Sequence, residues 1–233
     1  MAEEVLQILL EILVDAIDKG HGKWVLQTGS RQPNGNAGQE EPTQRDIMEV
    51  LLDLSTSSNA HWVRICALAV IESLATALPE QTLEKILKVP SALELLMNAI
   101  DDPVKDVRNQ ALILLLRLSP HEQVKLFITF DDGFQNLIRI AQSESPTTVS
   151  TDALSIVFNS LKGNIPGQRQ FCESPLCLAG LVSLMDLAAP ATASVAVDCV
   201  RLLCRGSLPV PIAANLSPKE VFFGASCFSG PRF

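Results

Sequence analysis

Self-similarity constrains this chain more than any single residue does. Four segments share one pattern of apolar, polar and small residues: Val63-Arg64-Ile65-Cys66-Ala67-Leu68, Val107-Arg108-Asn109-Gln110-Ala111-Leu112, Val149–Leu154 and Val195–Val200. Taking the small residue as anchor, Ala67, Ala111, Ala153 and Cys199 follow one another at 44, 42 and 46 residues. Each anchor lies in an apolar stretch read as a helix, ending near Leu74, Leu118, Leu161 and Arg205.

A second set recurs between the anchors. Leu93/Leu96/Met97/Ile100, Phe134/Leu137/Ile138/Ala141 and Leu178/Leu181/Val182/Met185 are offset by 41 and then 44 residues. Within each group the spacing is that of one apolar stripe along an amphipathic helix. Breaks recur in register as well, at Val89-Pro90-Ser91, Asp131-Asp132-Gly133 and Ser174-Pro175, with Pro103, Pro146 and Pro190 ahead of the next long helix. Proline ends one helix and favours the start of another. A period in the low forties with these breaks belongs to armadillo and HEAT repeats. Each unit leaves apolar faces that only a stacked neighbour covers. The sequence therefore predicts an all-α, armadillo/HEAT-like right-handed solenoid of about four repeats.

Composition agrees. Hydrophobic residues make up 47% of the 233, yet only 5% are aromatic and Tyr is absent, so the core is mainly aliphatic. That mixture suits helix-on-helix packing better than a β-sandwich. The net charge is -8 with no Lys/Arg cluster, which argues against nucleic-acid binding and charge-driven membrane binding. Apolar runs such as Ile65 to Ile71 and Ala111 to Leu116 are too short to span a bilayer. The start of the chain is acidic where a secretory signal needs basic residues, so the reading is a soluble, cytoplasmic protein.

The ends are less regular. Residues 1–18 read as an N-terminal helix of an incomplete repeat, 19–45 as a flexible loop, 46–205 as the repeats and 206–233 as an irregular tail. The tail carries Val221-Phe222-Phe223 and four prolines. Three readings of it stay open: a segment without fixed structure, one folded back over the open end, or the product of a truncated gene.

No catalytic constellation emerges, and the chain reads as a non-enzyme. His21, His61 and His121 are scattered, and there is neither a nucleophile-elbow motif nor a phosphate-cradling glycine loop. No cofactor is implied. Cys66 and Cys199 read as small core residues on apolar helix faces. The pairs Cys172/Cys177 and Cys199/Cys204 hint at zinc by spacing, but within the continuous helix read for the second pair a separation of five turns the side chains apart, so no metal site is expected. Asp101-Asp102 and Asp131-Asp132 read as turn and capping residues. Arg64 and Arg108 occupy the same repeat position and read as snorkelling or paired with an acid of a neighbouring repeat, in preference to forming a partner-binding row.

Two family resemblances follow. Asp106-Val107-Arg108-Asn109-Gln110-Ala111 is similar to the third helix of armadillo repeats. In the nuclear-import adaptors that helix presents a Trp and an Asn four residues apart to basic localisation signals. The matching positions here are Ala69/Ser73, Ile113/Arg117, Ser155/Asn159 and Arg201/Arg205. None is Trp and three are Arg, which would repel a basic peptide. Arg117, Asn159, Arg201 and Arg205 remain as candidate partner-facing residues.

The closer resemblance is to the armadillo-like head of the general vesicular transport factor family, the Golgi vesicle-tethering proteins also called transcytosis-associated. It runs through His61-Trp62-Val63-Arg64, Ile86-Leu87-Lys88-Val89-Pro90-Ser91, Leu96-Met97 and Val107-Arg108-Asn109. It continues in Val124–Ile140, where Thr129-Phe130-Asp131-Asp132-Gly133-Phe134 resembles the family's acidic turn between two Phe residues. Asp152-Ala153-Leu154, Asn159-Ser160-Leu161-Lys162 and Gln170-Phe171 complete it, over about residues 46–187. The resemblance implies a cytoplasmic protein peripheral to Golgi membranes, held there indirectly, that tethers transport vesicles as a homodimer. Rab-type small GTPases, golgins and SNARE proteins are the implied partners. The family's head is longer and is followed by a dimerising coiled coil and an acidic tail, whereas this sequence has no heptad run of useful length. It reads as part of a head. The alternative is a generic armadillo-repeat scaffold or assembly subunit without a trafficking role.

Overall fold

The computed structural model describes residues 2–27, 45–130, 132–144, 147–187 and 189–205. Among these residues every regular element is helical. The chain divides into two compact units, Met1–Leu118 and Ser119–Phe233.

The first unit opens with α1 (Ala2–Ala16), a π-helical turn (Ile17–His21) and α2 (Gly22–Gln27). The sequence reading placed a flexible loop from residue 19, and the structure corrects it as far as Gln27. Gly20 takes a positive φ of 94°, a bend that glycine tolerates without strain, and the chain re-enters a helix beyond it. Burial of Val25 and Leu26 holds that helix in place. The remainder of the expected loop lies mostly outside the described residues.

α3 (Ile47–Leu54) begins at Asp46, whose carboxylate accepts a hydrogen bond from Met48 N at 3.0 Å. Its other oxygen pairs with Lys85. α4 (His61–Ala77), α5 (Pro79–Lys88), α6 (Ala92–Ala99) and α7 (Lys105–Leu118) complete the unit. The long helices α4 and α7 pack directly on each other, with α1 and α3 against α4.

The second unit repeats the scheme with α8 (Glu122–Phe130), α9 (Gly133–Ser143), α10 (Thr148–Leu161), α11 (Ile165–Glu173), α12 (Pro175–Leu187) and α13 (Pro190–Arg205). Here α10 packs on α9 and α13, and α12 on α9 and α13. Short–short–long triplets thus begin at Pro79, Glu122 and Ile165, equally spaced along the chain. Three complete triplets follow the partial repeat of α3 and α4. The fold class is an all-α solenoid.

Packing explains the spacing. Ala67, Ala111, Ala153 and Cys199 are all fully buried, since a larger side chain at each would hold neighbouring helices apart. Cys66 is half-buried and stands one position off that line, so only Cys199 fills the core role expected of both. The short-helix stripes are buried too, through Leu96, Met97 and Ile100, then Phe134, Leu137, Ile138 and Ala141, then Leu178 and Leu181.

The turn between the two short helices recurs with one change. Ser91 and Asp132 adopt the left-handed conformation, with φ of 58° and 52°. Ser174 is extended instead, at φ -89° and ψ 108°, because it precedes Pro175 and the proline ring disfavours the helical region there. Gly133 follows the left-handed Asp132 where α8 and α9 touch: a Cβ there would lie 2.7 Å from the Ile128 carbonyl oxygen.

Candidate functional site

The long helices α4, α7, α10 and α13 carry the positions that sequence reading put forward for a partner. In the first unit, Arg117 on α7 is exposed and its Nε donates to Glu72 Oε1 on α4 at 3.2 Å. Thr76 Oγ1 donates to the same carboxylate at 3.0 Å. Ile113, one turn before Arg117, is partly exposed, and Ala69 and Ser73 are half-buried. This face is charge-balanced and weakly apolar, and it lacks an aromatic platform.

In the second unit, Asn159 on α10 is half-buried, and its Nδ2 donates to Ser119 Oγ at 2.9 Å. Ser155 turns its hydroxyl back to Thr151 O at 2.8 Å. Thr151 in turn shares a 2.8 Å hydrogen bond with Thr192 of α13, joining the two long helices. Arg201 is exposed and donates to Asp198 at 2.9 Å. Arg205 is exposed in the last turn. Asp152 is half-buried on α10, and this desolvation pushes its carboxyl above the ordinary range. Asn159 is therefore engaged inside the repeat, whereas the arginines project outward, Arg117 and Arg201 paired with Glu72 and Asp198.

Arg64 and Arg108 have structural duties, as their position suggested. The Arg64 guanidinium is buried and pairs with Asp102 in the turn before α7. Arg108 Nη1 donates to Asp102 O at 2.9 Å and to Pro103 O at 3.2 Å. Asp102 Oδ1 accepts from Val104 N at 2.8 Å, so this acid both caps and pairs.

Sequence reasoning missed one feature. Phe130 and Ile165 stand 70% and 60% exposed at the end of α8 and the start of α11. With Pro166, Arg169, Gln170 and Glu173 they line an open groove of about 250 Å³. The signal was available, because Leu126 and Phe130 lie four apart on α8, off the stripe made by Val124 and Ile128.

Among the described residues, no group of three or more His, Cys, Asp or Glu is placed to hold a metal ion. Cys199 is fully buried, which pushes its thiol up to about 12, whereas Cys204 is exposed. Alkylation of the native protein near pH 8 is expected to label Cys204 and leave Cys199 unmodified until unfolding. Peptide mapping by mass spectrometry reads the result. Equal labelling of both thiols in the native state would contradict this packing of α13.

No family model matches the chain. Over 177 residues, 73% of its length, it is 25% identical to the general vesicular transport factor p115 of Bos taurus and of Homo sapiens. It is also 25% identical over 134 residues, 56% of its length, to the intracellular protein transport protein uso1 of Schizosaccharomyces pombe. Among solved structures, Uso1-2 superposes with a TM-score of 0.68 at 20% identity, covering 90% of this chain and 36% of that one. The chain resembles the armadillo-like head of the vesicular transport factor family. The matched stretch spans 18% of the length of the p115 proteins and 12% of uso1, so the resemblance is to part of each. A designed armadillo repeat protein superposes with a TM-score of 0.72 at 18% identity, covering 97% of this chain and 87% of that one. That likeness speaks to the fold, and it agrees with the triplets of helices described above.

Proposed function

We propose that this chain is a non-catalytic protein-interaction module of vesicle tethering in ER–Golgi and intra-Golgi transport. It would act in the cytoplasm, held indirectly at the periphery of Golgi membranes. The observation that carries the reading is the likeness to p115, 25% identical across 177 residues. The partners to be tried first are Rab-type small GTPases, golgins and SNARE proteins, with a second copy of the chain as a further possibility. Arg117, Arg201 and Arg205 are offered as partner-facing groups on the exposed sides of α7 and α13, and Asn159 as a half-buried neighbour on α10. Among the described residues, no helix is long and apolar enough to cross a membrane, which suits binding through other proteins.

The test is a pull-down of nucleotide-loaded Rab GTPases, golgin fragments and SNAREs on the immobilised chain. Enrichment of one class is expected, weakened about tenfold by Arg201→Glu with Arg205→Glu, as for the loss of a well-placed charge contact. The Arg201–Asp198 pair is exposed, so its loss should change stability by less than about 1 kcal/mol. Enrichment of none of the three classes would sink the tethering role and leave a repeat scaffold without trafficking specificity.

A further inference from the structure

Helix α1 is apolar on two sides, and among the described residues only one of them is covered. Leu10 and, just beyond the helix, Ile17 are buried, and α1 packs on α4. On the outer side Ile8, Leu9 and Ile12 stand 55%, 52% and 55% exposed. The half-buried Leu13 and Ala16 continue their line. Steps of one and four residues place all five on one stripe, which runs about 12 Å along the helix. Branched side chains left this open on one helix face mark a surface that another molecule covers.

The edge of the stripe selects what that molecule is. Glu11 and Asp15 are exposed, four residues apart, along the side that carries Ile8 and Ile12. Glu11 accepts a hydrogen bond from the neutral Gln7 amide at 2.8 Å, which leaves its charge in place. Asp15 pairs with Lys19 at 2.6 Å, and both are well exposed, so water screens that pair. A second copy of the chain fits poorly, because a two-fold antiparallel pair centred on the stripe sets the Glu11 and Asp15 edge against its own copy. An anionic bilayer meets the same repulsion. No described element is a strand, so an extended segment has no sheet edge to join here. The ridges of a second helix match the stripe. We propose that α1 docks an amphipathic helix of another protein, one with Lys or Arg along one edge of its apolar stripe. Its apolar residues cover Ile8, Leu9 and Ile12, and its cations lie along Glu11 and Asp15. This surface is separate from the arginines of α7 and α13, and its test does not depend on a trafficking partner.

The probe is a fluorescent designed helix of about 20 residues with a leucine stripe edged by lysines, titrated against the full chain and followed by anisotropy. The same helix edged by glutamates is expected to bind at least tenfold more weakly. Ile8→Ser with Ile12→Ser should weaken the lysine-edged helix about tenfold with helical circular dichroism unchanged, since neither side chain is buried. Glu11→Lys with Asp15→Lys should invert the preference between the two probes. No binding of the lysine-edged helix below about 1 mM, or binding that both double variants leave intact, would overturn the proposal. Sedimentation showing a dimer that the Ile8/Ile12 variant loses would give the face to a second copy instead. Flotation with phosphatidylcholine vesicles that requires the same two residues would give it to a bilayer, and either result overturns the proposal.

Discussion

Replacing Asp102 by Ala is expected to lower the stability of the first unit by about 3–5 kcal/mol, the cost of leaving one member of a buried ion pair alone. Arg64 and Asp102 are only 6% and 7% exposed, so the stranded guanidinium has little water to turn to. Arg64 Nε already finds no acceptor among the described residues, which leaves the head of the side chain dependent on Asp102. The same substitution removes the cap on Val104 N, an effect of about 1 kcal/mol by itself. Asp102→Asn keeps one neutral acceptor, for Val104 N or for Arg64, and sets its NH2 against the other donor, so its cost should approach that of Ala, about 2–4 kcal/mol. Adding Arg64→Met to Asp102→Ala should recover about 1–3 kcal/mol relative to the sum of the single losses, because the unpaired charge goes too. Both tryptophans, Trp24 and Trp62, lie in the first unit, so fluorescence during urea unfolding follows this unit alone. A loss below about 1 kcal/mol for Asp102→Ala, or strictly additive losses in the double variant, would show that the pair is structurally idle.

That pair marks where legibility in the sequence stops. The repeat of Ala67, Ala111, Ala153 and Cys199 specifies helix stacking because each must be small to be buried, and small residues at fixed spacing are visible in a string of letters. The matched position of Arg64 and Arg108 was equally visible, but its meaning depends on which carboxylate the fold brings near. Asp102 stands 38 residues from Arg64, and periodicity cannot choose it over Asp101. In the second unit Ser150 takes the arginine position and donates to Ala141 O at 2.6 Å, so the same slot is satisfied without charge. Helix α2 was hidden because Gly20 and Gly22 read as breakers. Only the burial of Gly22 against Ile17 and of Val25 and Leu26 in the core makes a helix there. The candidate residues Arg117, Arg201 and Arg205 were chosen by register alone. Register located their helices, but not Glu72 and Asp198, which pair with Arg117 and Arg201. Phe130 and Ile165 escaped notice because a count of apolar residues treats outward and inward faces alike.

Asn164→Ala should destabilise the second unit by about 2–4 kcal/mol, because three hydrogen bonds in a site only 1% exposed depend on this one amide. Its Nδ2 donates to Thr129 Oγ1 and to Ser160 O, each at 3.0 Å, and its Oδ1 accepts from Gly167 N at 3.0 Å. Thr129 passes its own proton to Lys125 O at 2.8 Å. The amide therefore ties α8, α10 and the first turn of α11 together. There is no room for compensation, since a Cβ on Gly167 would sit 2.5 Å from Asn164 Nδ2 and 2.9 Å from Thr129 Oγ1. Asn164→Asp separates hydrogen bonding from shape. The carboxylate can still cap Gly167 N, yet it sets an anionic oxygen against the Ser160 carbonyl, which has no proton to offer. That repulsion raises the folded-state pKa of the new acid above its unfolded value near 3.9. The variant is then least stable above the folded pKa and regains stability as pH falls toward the unfolded one, when the protonated acid donates again. Far-UV circular dichroism in urea at pH 7.5 and pH 4.5, compared with the parent at each pH, measures the difference. Asn164→Asp matching the parent at pH 7.5 would remove this amide from its role. A confirmed loss would identify Asn164 as the anchor of α11, the helix that supplies Ile165, Arg169 and Glu173 to the groove.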